Sequence, residues 1–345
     1  MRRVGRTAVL ALALASPAAA QQAVEPTVSV EAVGSAAMLS SYQQVSAVLD
    51  VTGTVRIAPG AIVILRPWAW HRPDGTSTFQ WYQLQVRYQM RTRTPIRVDA
   101  GVITEPLGLN PLQMRADLNP TISPVPYYVI PLPRFEAHFD ALQPLTVGYP
   151  LGVVVSGSGT RWDARAGVLD TTPARPGVEL KHNDFPAIPQ VVAGGGFTLR
   201  PGFRVGGGIA HGGYREASDT LPAGDATVGN LEAEFTLNHT RLSGEWVGDR
   251  FTGSTGTVST QSFYLQGVQT ITARTFAAGR VSHVDTPPVF LVGRSTTWTA
   301  AEFTGGVRVT PYLTVRAGYY GQRPYFAAWS NAGAVSIVLD GRWWR

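Results

Sequence analysis

The residues of this chain that could do chemistry are charged side chains set at alternate positions of apolar stretches. Arg87, Arg91, Arg97, Arg165 and Arg204, with Asp99 and Asp163, lie in its first two thirds. Glu232, Glu234, Glu245 and Glu302, with Arg308 and Arg316, lie in the remainder. Fixed charges held on a scaffold attract and orient ions. Covalent chemistry has no comparable support. There is no Gly-x-Ser-x-Gly, no His-Glu-x-x-His, no phosphate loop ending in Gly-Lys and no complete Gly-x-Gly-x-x-Gly. The six histidines (71, 138, 182, 211, 239, 283) lack ligand spacing, although His71, His211 and His283 could approach one another near one rim. Cysteine is absent, which removes disulfides, thiolate metal sites, iron–sulfur clusters and thiol catalysis. No enzyme activity, metal or cofactor is expected.

The elements that must position these charges are strands. Leu84, Val86, Tyr88 and Met90, with Tyr82, share one face against Gln83, Gln85, Arg87, Gln89 and Arg91. Leu231, Ala233, Phe235 and Leu237 oppose Glu232, Glu234, Thr236 and Asn238, and the pattern returns around Phe303, Val315 and Ile337. Tight turns of similar sequence recur, as in Thr94–Gly101 and Thr310–Gly318. The glycines at 167, 207, 244, 279 and 318 mark a hairpin repeat of about 38 residues. This ruler predicts sixteen strands, with fourteen or eighteen as alternatives. They span 27–38, 45–57, 61–72, 79–92, 95–104, 148–157, 160–171, 187–199, 202–214, 227–238, 240–251, 261–271, 273–284, 297–309, 312–322 and 332–344.

Composition narrows the class. Charged residues are 15% of the 345, against roughly 25% in ordinary soluble domains. Gly (37), Pro (25) and aromatics (13 Phe, 12 Tyr, 9 Trp) favour short-turned strands over helices. Arg2, Arg3 and Arg6, an apolar run from Ala8 to Ala15 and Ala18-Ala19-Ala20 form a secretory signal, residues 1–20, cut after Ala20. That run is too short to cross a hydrocarbon core of roughly 30 Å. The net charge of +6 includes those three arginines, so it is no argument for nucleic acid.

An exported chain of long alternating strands fits a soluble sandwich or a membrane barrel. The polar faces carry Gln, Arg and Glu with a single lysine, Lys181, unlike a solvated surface. A barrel in lipid points apolar residues outward and polar residues into the lumen, and closure satisfies every backbone group. The fold expected for residues 21–345 is therefore all-β, a transmembrane antiparallel up-and-down barrel. Aromatics near strand ends (Trp68, Trp70, Phe79, Trp81, Tyr320, Tyr325 and Trp329; Trp162, Phe203, Tyr312 and Trp343) are expected to form interfacial girdles.

Across its mature length the chain resembles Gram-negative outer-membrane porins. Arg97–Leu109 is similar to a strand and loop of phosphate-selective porin relatives, but the lysine ladder of those proteins is missing. The resemblance implies an outer-membrane location, lipid and small polar solutes as partners, passive diffusion and a homotrimer, and it implies no particular solute. A TonB-type transporter is excluded, because the 325 residues left of 345 after a cut behind Ala20 cannot supply about twenty-two strands and a plug domain.

The longest connection, 104–147, has seven prolines between Pro106 and Pro133, which forbid a sheet ladder. It is expected to fold into the lumen as a constriction or plug, with Asn119, Tyr127, Tyr128 and Arg134 as its polar contacts. Strand charges must point inward, because an arginine facing lipid at midplane costs about 2–4 kcal/mol. The arginine-rich and glutamate-rich arcs would then face each other and set up a transverse field, unless neighbouring pairs neutralise it. The alternative function is a non-conducting barrel with a structural, adhesive or partner-binding role.

Overall fold

The computed structural model describes residues 28–40, 44–72, 74–90, 92, 94–109, 115–125, 128, 130–133, 142–146, 148–175, 188–215, 217, 223–253, 256–286 and 296–344. The signal segment, Arg91, and part of the long connection, including Tyr127 and Arg134, lie outside the described residues.

Sixteen strands follow one another: β1 (Val28–Leu39), β2 (Gln44–Ala58), β3 (Ala61–His71), β4 (Ser77–Met90), β5 (Ile96–Val102), β6 (Leu151–Ser158), β7 (Trp162–Leu169) and β8 (Gln190–Arg200) make the first half. The second half is β9 (Phe203–Arg215), β10 (Gly224–Leu237), β11 (Thr240–Gly253), β12 (Gly256–Thr270), β13 (Thr275–Asp285), β14 (Thr297–Thr310), β15 (Leu313–Arg323) and β16 (Ser330–Trp344). Each pairs antiparallel with its chain neighbours, and β1 pairs with β16 from Ser29↔Trp344 to Leu39↔Ala334. The sheet is a closed barrel. The expected strand boundaries hold within a few residues except at the rim opposite the tight turns. There β10 and β12 start earlier, and β11 and β12 are joined by residues 254–255 alone. These extensions are rich in Gly, Thr and Ser, so they carry no apolar alternation to read.

Alternation gives the wall its two surfaces. Leu231, Leu265, Phe303 and Leu339 are among the large apolar side chains left exposed, while inward Glu232, Gln266, Thr304 and Ser336 are buried. An outer surface of that kind is matched to hydrocarbon, and the closed ladder leaves no unpaired edge. Tight turns take the left-handed conformation at Gly60 (φ 81°), Gly202 (φ 81°) and Asn238 (φ 51°), which glycine and asparagine tolerate best.

One face assignment is corrected. In the β3–β4 register Arg66 pairs with Gln83 and Pro67 with Trp81, leaving Tyr82 as the extra residue of a bulge. The bulge shifts the alternation by one, so Leu84 to Met90 face out as expected but Tyr82 turns inward and is 1% exposed. Its ring stacks on Trp68 at 4.6 Å and on Tyr149 at 4.1 Å. The girdle expectation divides accordingly. Phe79, Trp81, Trp162, Tyr312, Trp329 and Trp343 are exposed, whereas Trp68 is buried inside and Trp70 donates to Ser46 Oγ on the inner face of β2.

Replacing outward Leu231, midway along β10, with arginine should destabilise the folded barrel by about 2–4 kcal/mol. Denaturant titration in lipid vesicles measures this directly; a neutral result would mean that this face does not meet hydrocarbon.

Candidate functional site

The interior is organised by the connection between β5 and β6. Its two ends extend the hairpin, through Ile103 N–H to Pro150 O (2.9 Å) and Glu105 N–H to Gly148 O (3.0 Å). Beyond them Leu107, Val125, Tyr128, Leu142 and Leu145 are fully buried. They share one apolar core with inward-facing Val154, Val192, Val228, Val247, Phe251 and Trp298 of the wall. Ile103, Leu109 and Leu132 are buried as well, whereas Leu118 stays exposed; burial of the others keeps most of the described apolar surface of the segment from water.

Polar contacts fix the loop to the far wall. Glu302 on β14 accepts the backbone N–H of Ile122 (2.7 Å) and Ser123 (3.1 Å) and the Ser123 hydroxyl. Arg280 on β13 pairs with Glu302 at 2.9 Å and donates to the carbonyls of Ser123 (2.6 Å) and Pro124 (2.9 Å). Arg316 on β15 donates to the carbonyls of Ala116, Asn119 and Thr121 at 3.2, 2.6 and 2.8 Å. Asn119 holds the turn locally, its Oδ1 accepting Thr121 N–H and its amide donating to Ser123 O. The Tyr128 hydroxyl donates to Glu245 on β11. Arg115 reaches Glu31 on β1 at 2.6 Å. The loop backbone makes a few bonds to itself, as Asn119 N–H to Arg115 O and Leu132 N–H to Leu142 O, and wall side chains supply partners for groups that its prolines and turns leave unpaired.

The remaining expected charges also face inward. Arg87 and Arg97 share Asp99, at 2.6 and 2.8 Å. Arg204 bridges Asp163 on β7 (2.9 Å) and Glu232 on β10 (2.5 Å), and Glu234 pairs with Arg241 at 2.7 Å. Arg308 lies over the Phe276 ring at 5.6 Å. Arg165 buries its Nε and one terminal nitrogen without hydrogen-bond partners. The neighbouring pairs thus form, yet the interior faces of β4 to β9 keep more arginines than acids. Arg204 can lie flat because β8 and β9 offer glycine beneath it: a Cβ on Gly196 would sit 2.2 Å from its guanidinium.

His71, His211 and His283 stand on β3, β9 and β13 and hydrogen-bond Ser77, Thr227 and Thr299, each on the next strand. They do not converge. Residues beyond the sequence reading are Glu31, Arg115, Asp117, Arg280 and Asp340. Carboxylate oxygens of Glu31, Asp117 and Asp340 lie within 4.8 Å of one another, with Arg115 and Arg342 among them as counter-charges. The inward rule for strand charges applies equally to Arg280 and Glu31. Nothing in the sequence indicates where Arg115 would land.

With the geometry described, the comparisons can be placed. No protein-family model matches the chain, and no curated protein matches its sequence. Solved structures do. OmpF of Salmonella typhi in complex with daunomycin superposes with a TM-score of 0.58 at 12% identity, covering 91% of this chain and 97% of that one. An anion-selective porin from Comamonas acidovorans gives 0.56 at 11%, covering 92% and 100%. The trimer form of OmpT from Vibrio cholerae gives 0.56 at 9%, covering 92% and 98%. The chain has the outer-membrane porin fold. At these identities the likeness concerns backbone architecture, and the loop clamps of this porin fold are described from its own residues.

Two outcomes follow. Glu302→Gln should weaken three charge-assisted hydrogen bonds and speed amide exchange over 115–124, with a loss of roughly 1.5–3 kcal/mol; unchanged exchange would mean the clamp is redundant. The second concerns Glu105, buried in the loop, where desolvation pushes its carboxyl from 4.5 up to about 8 against the opposing pull of Leu107 N–H and Arg165. Between those values the unfolded chain is ionised and the folded chain protonated. Stabilisation is therefore complete below pH 4.5 and falls as pH rises toward 8. Glu105→Gln should remove this slope and raise the unfolding midpoint near pH 8; parallel pH profiles would refute it.

Proposed function

We propose that the chain is an outer-membrane channel through which small hydrophilic solutes diffuse passively, with the 104–147 loop as its constriction. The observation that carries this is a loop bonded across the interior from β5 and β6 to β1, β11, β13, β14 and β15, beside charges that stay partly exposed. The Arg97 and Arg87 side chains retain 42% and 30% of their surface. Buried paired charges hold the loop, and half-exposed arginines are left to meet solutes. The excess of arginine on the inner faces of β4 to β9 favours anions, and the structural neighbour from Comamonas acidovorans is described as anion-selective. Export through residues 1–20 and assembly as a homotrimer belong to the same reading; one OmpT neighbour is a trimer.

A second reading has its own observation. Every one of the sixteen strands carries a buried inward side chain, from Val33 on β1 through Asp99 on β5 and Val192 on β8 to Ser336 on β16. Burial that reaches every strand favours a plugged barrel with a structural or partner-binding role.

Planar-bilayer conductance under a salt gradient separates the two. Stable steps with an anion-selective reversal potential support the channel. Silence from a folded barrel, followed by conductance once part of 118–134 is deleted, supports the plug. In a conducting protein, Glu232→Gln with Glu234→Gln should shift the reversal potential further toward anions, since both acids now neutralise Arg204 and Arg241. An unchanged potential would remove interior charge as the source of selectivity.

A further inference from the structure

The two rims of the barrel differ in charge. Both termini and the seven connections 59–60, 91–95, 159–161, 201–202, 238–239, 271–274 and 311–312 lie at one end. By sequence those connections contain Arg91, Arg93, Arg161, Arg274 and His239, and no Asp or Glu; Arg200 ends the strand before one of them. The connections at the opposite end carry both signs, among them Arg72, Asp74, Asp170 and Arg175. Charge of one sign collects at one mouth only.

Over β7 to β10 the backbone turns this charge outward. Thr198 pairs with inward Arg204, but Arg200 pairs with Phe203, so Leu199 is the extra residue of a bulge. The bulge reverses the alternation and sets Arg200 on the outer face. Its guanidinium lies 5.6 Å from the Phe235 ring, itself in edge contact with Phe203 at 6.0 Å. Arg200 and Arg161 are both exposed. Arg161 is one residue from outward-facing Trp162, and its carbonyl accepts Thr198 N–H at 2.7 Å, which ties the two arginine-bearing turns together. One cation over a half-buried ring and another beside exposed Trp162, at the level where an apolar wall ends, match the phosphates of a bilayer surface.

We propose that this rim, centred on Arg161 and Arg200, is a docking surface for anionic phospholipid of the leaflet that meets the tight turns. The aromatic rings take the glycerol and upper acyl region and the two guanidiniums take the phosphate. The proposal rests on the membrane-spanning reading and adds a lipid preference to it. One arginine near a charged bilayer surface raises affinity about fivefold, so two predict a preference on the order of twentyfold.

Native mass spectrometry of the folded protein in detergent, with equal phosphatidylglycerol and phosphatidylcholine added, tests it. The expected result is selective retention of phosphatidylglycerol, near parity for the Arg161→Gln/Arg200→Gln double variant, and wild-type behaviour for Arg323→Gln at the opposite rim. Mobility of the unboiled protein on gels confirms that each variant is folded, and single Arg200→Gln serves if the double variant is not. Equal retention of both lipids by the wild type, or undiminished preference in the arginine variants, overturns the proposal. A chain that never inserts into bilayers sinks the membrane reading as well, whereas an inserted barrel indifferent to headgroup sinks this inference alone.

Discussion

Hydrocarbon offers no hydrogen-bond partner, so every backbone N–H and C=O that crosses it must be paired within the protein. In this chain that demand is met by one act of closure, the eleven-residue register that joins β1 to β16. The sidedness of the wall follows from it. With the ladder closed, each strand has a face toward lipid and a face toward the interior, and the pleat assigns residues to them in turn. Charges are driven inward by their solvation energy, which is why arginines and carboxylates crowd a space that also receives the described part of the loop.

Crowding makes the interior a network of shared partners. Asp99 serves two arginines, Arg204 serves two acids, and Glu302 serves both Arg280 and the loop backbone. The loop needs these wall groups because its prolines and turns leave carbonyls and amides unpaired. Arg316 alone answers three carbonyls. The side chains that keep the loop in place are thereby buried and paired. Arg87 and Arg97, which share Asp99 and do not touch the loop's clamps, stay partly exposed.

Small irregularities decide details that regular strands could not. The bulge at Tyr82 brings an aromatic ring inside, where it stacks between Trp68 and Tyr149 and so fixes the end of the loop to β3 and β4. The bulge at Leu199 moves Arg200 to the outer face. The glycines of β8 and β9 leave a floor on which Arg204 spans from β7 to β10. Each replaces a repeat with a specific contact.

Much of this was legible in residue order, because alternation, turn chemistry and the expense of charge in lipid are local or one-dimensional properties. They sufficed for sixteen strands, the apolar outside and the inward direction of Glu232, Glu302 and Arg316. They failed where a residue's surroundings come from distant chain. Tyr82 follows the apolar period yet turns in, because the β3 strand beside it sets the register. Nor does any pattern in residues 115–124 announce that Arg280, Glu302 and Arg316, about 160 to 200 positions later, will hold them. Sequence alone determined which face of the regularly alternating strands is apolar. Tertiary structure decided which charges meet each other, since closing the ring is what brings β5, β14 and the loop between them within reach.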